Sequence, residues 1–237
     1  MMYRSDHLYF IFSMAILYIV ATPIGNLNDM TFRGIEILKE VDIIACEDTR
    51  RTKKLLNHFS IRNSTISYGH NDRKAKKINF LLSQGKNIAL VTDAGTPGIS
   101  DPGSAAVNLA RSNGHYVIPI PGVSAVTTLL SISGENNRGT KFQGFLSPKK
   151  GRRFKQLQLL LAEGVPFVIF EGPHRVKKLL AEIATIENQR QLIMARELTK
   201  KYEEILRGTA LSVLTELETK DRIRGEFVLL VLKTSAS

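Results

Sequence analysis

Short apolar runs alternate with amphipathic segments along nearly the whole chain, and this alternation restricts the fold more than any other feature. Residues 16–21, 42–46, 87–92 and 116–120 read as buried strands, with helical spacing over 31–40, 74–83 and 104–112 between them. Parallel neighbours need a crossover, usually a helix, so the pattern predicts a mainly parallel sheet covered on both faces. The polar, glycine-bearing stretch Ser133-Gly-Glu-Asn-Asn-Arg-Gly-Thr140 then interrupts the pattern. It restarts with helices near 153–162, 174–184 and 211–218 and strands at 167–170, 191–195 and 226–232. The reading is two α/β domains, 14–133 and 134–237, which suits a chain of 237 residues.

Each distinctive loop is expected where a strand ends and a helix begins, the edge at which open α/β sheets bind ligands. In the first half these are Thr22-Pro-Ile-Gly-Asn-Leu27, Glu47-Asp-Thr-Arg-Arg51, Asp93-Ala-Gly-Thr-Pro-Gly-Ile-Ser-Asp-Pro-Gly103 and Pro121-Gly-Val-Ser-Ala125. In the second they are Glu171-Gly-Pro-His-Arg175 and Ala195-Arg-Glu-Leu-Thr199. The 93–103 loop packs three glycines and two prolines into eleven residues. Glycine lets backbone approach a ligand closely and proline stiffens the turns, so the loop suits a polar metabolite; a purely structural loop is the other reading.

Several chemistries are excluded or disfavoured. No GxGxxG follows the first strand, and there is no Gly-Lys-Ser/Thr phosphate loop, nucleophile elbow or HExxH. The single cysteine, Cys46, rules out an intramolecular disulfide or a multi-thiolate metal site, and the histidines lack ligand spacing, so no metal is expected. Thirty-three basic residues against 22 acidic ones give a net charge of +11, which favours a polyanionic partner, nucleic acid first. A basic surface with no dedicated partner is the alternative.

Two stretches concentrate this charge. Seven basic residues and no acidic one lie between Arg138 and Lys155, with Lys149, Lys150, Arg152 and Arg153 as the expected phosphate contacts. Five more lie between Arg50 and Arg62, where Arg50 is the candidate contact and Lys53 and Lys54 read equally well as a solvated helix face. The apolar run near the N-terminus is too short for a membrane span, and its second half is needed as a strand. Residues 1–13 are therefore expected to be an extension upstream of Met14, and the protein to be cytoplasmic, with no membrane association.

Taken in order, Ile-Val-Ala-Thr-Pro-Ile-Gly-Asn-Leu (19–27), Cys-Glu-Asp-Thr-Arg (46–50), Val-Thr-Asp-Ala-Gly-Thr-Pro-Gly-Ile-Ser-Asp-Pro-Gly (91–103) and Pro-Gly-Val-Ser-Ala (121–125) resemble one family. So do Glu-Gly-Pro-His-Arg (171–175), Ala-Arg-Glu-Leu-Thr-Lys (195–200) and Gly-Glu-Phe-Val (225–228). It is the ribosomal small-subunit RNA ribose 2′-O-methyltransferases that act on a cytidine of the decoding centre, a branch of the tetrapyrrole methylases. The resemblance spans roughly residues 16–233. It implies the two-domain tetrapyrrole-methylase fold with S-adenosylmethionine in the cleft between the domains, small-subunit ribosomal RNA as partner and a homodimer. By position it implies cofactor contacts from Pro23, Ile24, Gly25, Asp93, Ala94, Gly95, Thr96, Ile99, Ser124, Ala125, Glu171 and Leu198. Glu171 stands where the porphyrin branch often has methionine.

A ribose 2′-hydroxyl is a poor nucleophile and benefits from a base or from stabilisation of the developing alkoxide. Glu47 and Asp48, just after a buried strand, are the first candidates for the base, with His70 and Asp93 behind them; Arg50 or Lys200 could steady negative charge. Two other functions remain open: the same fold and cofactor acting on a tetrapyrrole or a diphthamide-pathway protein, and a non-catalytic RNA-binding assembly protein. The charge excess disfavours the first, and the intact glycine–proline loops disfavour the second.

Overall fold

A computed structural model describes residues 14–69, 72–220 and 222–233. The expectations for residues 1–13 and for His70 fall outside these. The contacts divide the described residues into two units, one of residues 14–22 and 30–122, the other of residues 23–29 and 123–233.

The first unit is an open parallel sheet of β1 (Ile16–Val20), β2 (Ile43–Cys46), β3 (Thr65–Ser67), β4 (Ile88–Val91) and β5 (Tyr116–Ile120), in the order β3-β2-β4-β1-β5. Alternation along the strands sends Leu17, Ala45, Ile88 and Leu90 to one face and Val20, Ile44, Ala89 and Val91 to the other. Helices α3 (Asp72–Ser83) and α4 (Ser104–Ser112) cover the first face through Ile78, Leu82, Ala106 and Ala110. Helices α1 (Phe32–Glu40) and α2 (Thr49–His58) cover the second through Leu38 and Leu56. A sheet buried on both faces is what its unbroken apolar runs require.

Local signals set the helix ends. The Thr31 hydroxyl accepts from Gly34 N at 3.1 Å to start α1, and the Asp48 carboxylate accepts from Arg50 N at 2.8 Å to start α2. Gly85 and Gly114 follow α3 and α4 with φ of 79°, the left-handed turn that ends a helix at little steric cost to glycine.

The second unit has the sheet order β6-β7-β10-β8-β9, built from β6 (Lys141–Phe145), β7 (Phe167–Glu171), β8 (Gln191–Arg196), β9 (Glu204–Thr209) and β10 (Phe227–Val231). Only β6 and β7 run parallel; β10 enters antiparallel between β7 and β8, and β9 returns beside β8 as a hairpin. Helices α6 (Lys150–Ala162), α7 (Val176–Ile186) and α8 (Ala210–Glu218) bury Leu157, Leu180 and Val213 against one face. Helix α5 (Ala125–Ser131) packs Leu129 against the other, with Val168, Ile193 and Leu230.

Three features differ from the sequence reading. The second sheet is mixed, because the turn after β8 leads to another strand rather than to a helix. The polar stretch 133–140, expected as a boundary, lies inside the second unit: Asn137 Nδ2 donates to Leu130 O at 2.9 Å, and Arg207 to Ser133 O at 2.9 Å. And residues 23–29, though they follow β1, belong to the second unit.

Candidate functional site

In the first sheet β1 and β4 are neighbours whose outgoing helices cover opposite faces, the arrangement that opens a crevice at the carboxyl edge. The loops leaving these two strands are joined there. Thr22 N donates to Gly95 O and Gly95 N to Thr22 O, each at 3.0 Å, a two-bond antiparallel bridge between loops that follow parallel strands. The Thr22 hydroxyl also donates to Thr92 O at 3.1 Å. Gly95 holds φ of 79° and Gly98 φ of 80°, values costly for any residue with a Cβ.

The loop after β2 is tied to the same place through Asp93. Its Oδ1 accepts from Asp48 N at 3.0 Å, and its Oδ2 pairs with Arg51 at 3.3 Å. Asp93, Ala94, Gly95 and Thr96 therefore lie in one braced loop, and Ile99 farther along it is 61% exposed, an apolar side chain held out on a stiff segment.

The two candidate bases behave differently. Asp48 caps α2, and both its oxygens also receive Arg50, at 3.2 Å from Nε and 2.8 Å from Nη2. These bonds from the Arg50 side chain, and then from its backbone N–H, hold the Asp48 carboxyl down to about 2. Such a carboxylate accepts a proton poorly. Glu47 is half-buried, and its carboxylate has no hydrogen-bond partner among the described residues. Arg50, with its side chain 88% exposed, directs its Nε and Nη2 at Asp48.

In the second unit, Ile24 packs against the apolar face that includes Leu129, Leu198 and Val228. Gly25 is fixed by close approach: a Cβ there would fall 2.4 Å from Lys200 Cγ, 2.8 Å from Thr199 Oγ1 and 3.0 Å from Leu198 O. The 197–200 turn is strained and heavily braced. Glu197 and Thr199 take φ of 51° and 65°, and Glu197 Oε1 accepts from both Lys200 Nζ at 2.9 Å and Glu226 N at 3.0 Å. Gly225 allows this, since a Cβ there would lie 2.4 Å from Glu197 Cγ. Burial alone would lower the Lys200 ammonium, but its bonds to Glu197 and Glu226 outweigh that and raise it. Lys200 is thus committed to two carboxylates. Ser124 precedes α5, its carbonyl accepting from Thr128 N at 2.9 Å, and Ala125 begins the helix.

Glu171 ends β7 with its side chain wholly buried. Its Oε1 accepts from Gly172 N and from Arg175, each at 2.7 Å, while Oε2 has no partner among the described residues. A buried carboxylate oxygen without a donor is costly and awaits one.

The basic segment before α6 splits. Lys149, Lys150 and Arg152 are exposed and make no ion pair among the described residues. Arg153, expected on the same surface, is 4% exposed and donates twice to Glu182, at 2.7 Å from each of Nε and Nη2. Helical spacing turns it inward beside Leu157, so it is a structural arginine. The Glu182 partner and the α7 packing were not legible in the local charge pattern.

The family described as Tetrapyrrole (Corrin/Porphyrin) Methylases matches residues 16–213. The ribosomal RNA small subunit methyltransferase I of Bacillus subtilis is 47% identical over 92% of this chain and 75% of its own. The Borrelia garinii protein of the same name is 42% identical over 93% of this chain and 100% of its own. In fold, the chain resembles a cobalt precorrin-4 methyltransferase at a TM-score of 0.69 and 16% identity, covering 91% of this chain and 94% of that one. It also resembles a diphthine synthase at 0.68 and 14%, covering 94% and 92%. No helix among the described residues is long and apolar enough to cross a membrane.

Proposed function

This chain belongs to the tetrapyrrole methylase family and, within it, to the ribosomal RNA small subunit methyltransferase I family, and on that premise we propose that it methylates small-subunit ribosomal RNA on a ribose 2′-oxygen of a decoding-centre cytidine, with S-adenosylmethionine as cofactor. The observation that carries the reading is the similarity over nine-tenths of the chain to relatives named for that RNA. The proposal includes a homodimer acting in the cytoplasm.

Features of each unit, taken by itself, support such a cofactor. The bridged loops after β1 and β4 offer Ala94, Gly95, Thr96 and Ile99 on a stiff frame, and the buried Oε2 of Glu171 lacks a donor that an ammonium or hydroxyl group would supply. Pro23, Ile24, Gly25, Asp93, Ser124, Ala125 and Leu198 complete the set we assign to it. When bound, this cofactor supplies a methyl group already activated by a sulfonium. What remains for the chain is to orient the acceptor ribose, exclude water and receive the hydroxyl proton. We assign that proton to Glu47, whose carboxylate is uncommitted, rather than to Asp48, whose oxygens are occupied. Lys149, Lys150 and Arg152 hold phosphates and favour RNA over a small macrocyclic acceptor.

The test is to incubate the protein with methyl-labelled cofactor and small ribosomal subunits and to map the label. Label on a ribose 2′-oxygen of the RNA is the expected result. Label on a base, or transfer only to a porphyrin or protein acceptor, overturns the proposal.

A further inference from the structure

The face of the second sheet opposite α6, α7 and α8 ends, at the β6–β7 edge, in three phenylalanines. Phe142 and Phe145 lie 5.1 and 5.7 Å from Phe170, ring centre to ring centre. Residues three apart in a regular strand point to opposite faces. Here the register shifts between Phe142 and Gly144, and Gly144 takes φ of 67°. That bulge resets the alternation, so Phe142 sits beside Val168 and Phe145 beside Phe170, on one face. Phe145 remains 57% exposed and Phe142 36%, although apolar side chains on the same sheet face farther in are buried.

The segment that leaves this cluster, residues 146–152, carries basic residues and no acidic one. Phe145 leads within four residues, at most about 14 Å of chain, to Lys149 and the start of α6. The link is stiff, with Ser147 N donating to Gln156 Oε1 at 3.0 Å and Lys149 N to Ser147 Oγ at 3.3 Å. Lys149, Lys150 and Arg152 are exposed at the end of this link and make no ion pair among the described residues, whereas Lys141, at the far end of β6, is already paired with Glu163.

Exposed aromatic rings next to uncompensated cations form the combination that recognises unpaired nucleic acid, bases on the rings and phosphates on the cations. We propose that Phe142 and Phe145 form a stacking platform for the bases of a single-stranded RNA segment whose phosphates lie on Lys149, Lys150 and Arg152. The inference rests on the reading of the chain as an RNA methyltransferase and adds the form of RNA that it grips. Duplex RNA keeps its bases stacked on one another and offers none to these rings.

The experiment compares binding of a fluorescent twelve-nucleotide single-stranded RNA, the same length as duplex, and a backbone-only abasic strand to the full chain and its variants. The wild type should prefer the single strand over both controls. Phe145→Ala and Phe142→Ala should each weaken single-strand binding by roughly tenfold or more, with thermal unfolding and the salt dependence retained. Phe145→Leu should resemble the alanine variant because it keeps bulk but loses the ring, and Phe145→Tyr should restore binding. A 2-aminopurine base in the strand should be quenched by the wild type and by Phe145→Tyr only.

If the wild type transfers methyl groups to small-subunit RNA but the alanine variants bind the single strand unchanged, the platform is overturned and the activity stands. If the wild type neither binds nor methylates RNA, both readings fall together. Conversion of a dimer to monomers by Phe145→Ala, with unchanged RNA affinity per chain, would assign the rings to a second copy of this chain instead.

Discussion

Thr22 and Gly95 exchange both of their backbone hydrogen bonds at 3.0 Å, clipping together the loops that leave β1 and β4. The clip needs the left-handed backbone of Gly95, at φ of 79°. An L-residue there costs about 1–2 kcal/mol, and a branched one also disfavours the turn. Gly95→Val is therefore expected to lower stability in urea by about that amount and to abolish binding of S-adenosylhomocysteine measured by calorimetry. A stable variant with wild-type affinity would move the cofactor away from this loop.

Arg153 and its neighbours should separate cleanly. Removing one partner of a buried ion pair typically costs about 3–5 kcal/mol, so Arg153→Ala should show a large loss in denaturant stability. The triple variant Lys149→Ala, Lys150→Ala, Arg152→Ala should unfold like the wild type. It should instead flatten the salt dependence of single-stranded RNA binding, by about 0.7 in log–log slope for each lost phosphate contact. An Arg153→Ala variant as stable as the wild type would contradict the burial of this pair.

For the proton acceptor, Glu47→Gln should slow single-turnover methyl transfer by about 10²–10⁴-fold at saturating RNA and cofactor. Asp48→Asn should slow it only a few-fold, because the Asp48 carboxylate already serves α2 and Arg50. The converse ranking, or equal rates for both variants and the wild type, would remove Glu47 from the role and leave positioning alone to account for the rate.

His115 supplies a pH dependence that is independent of the site. It is buried, neither ring nitrogen has a hydrogen-bond partner among the described residues, and burial lowers its pKa below the ordinary 6.5. The unfolded chain therefore takes up a proton near pH 6.5 that the folded chain does not. Stability is full above that value and declines as pH falls below it, through the window down to the folded pKa. Urea midpoints from pH 7.5 to 5.5 should show this decline, and His115→Phe should reduce it; an unchanged slope in that variant would assign the effect to other groups.

The sequence by itself determined the strand–helix alternation, the buried runs of the first sheet and the loops at its carboxyl edge. Those signals are local: apolar period, capping residues and glycine placement act over a few neighbours. Tertiary structure decided the rest. The strand β9 reads as polar because it is an edge strand with alternate residues exposed, and only its pairing with β8 reveals it. The transfer of residues 23–29 to the second unit follows from Gly25 meeting the 198–200 turn, 173 or more residues away in sequence. Arg153 reads as one more cation in a basic run until α7 brings Glu182 to it. Local pattern sets which elements form, whereas the state of a charged side chain depends on which distant group meets it, and that is settled only when the elements pack.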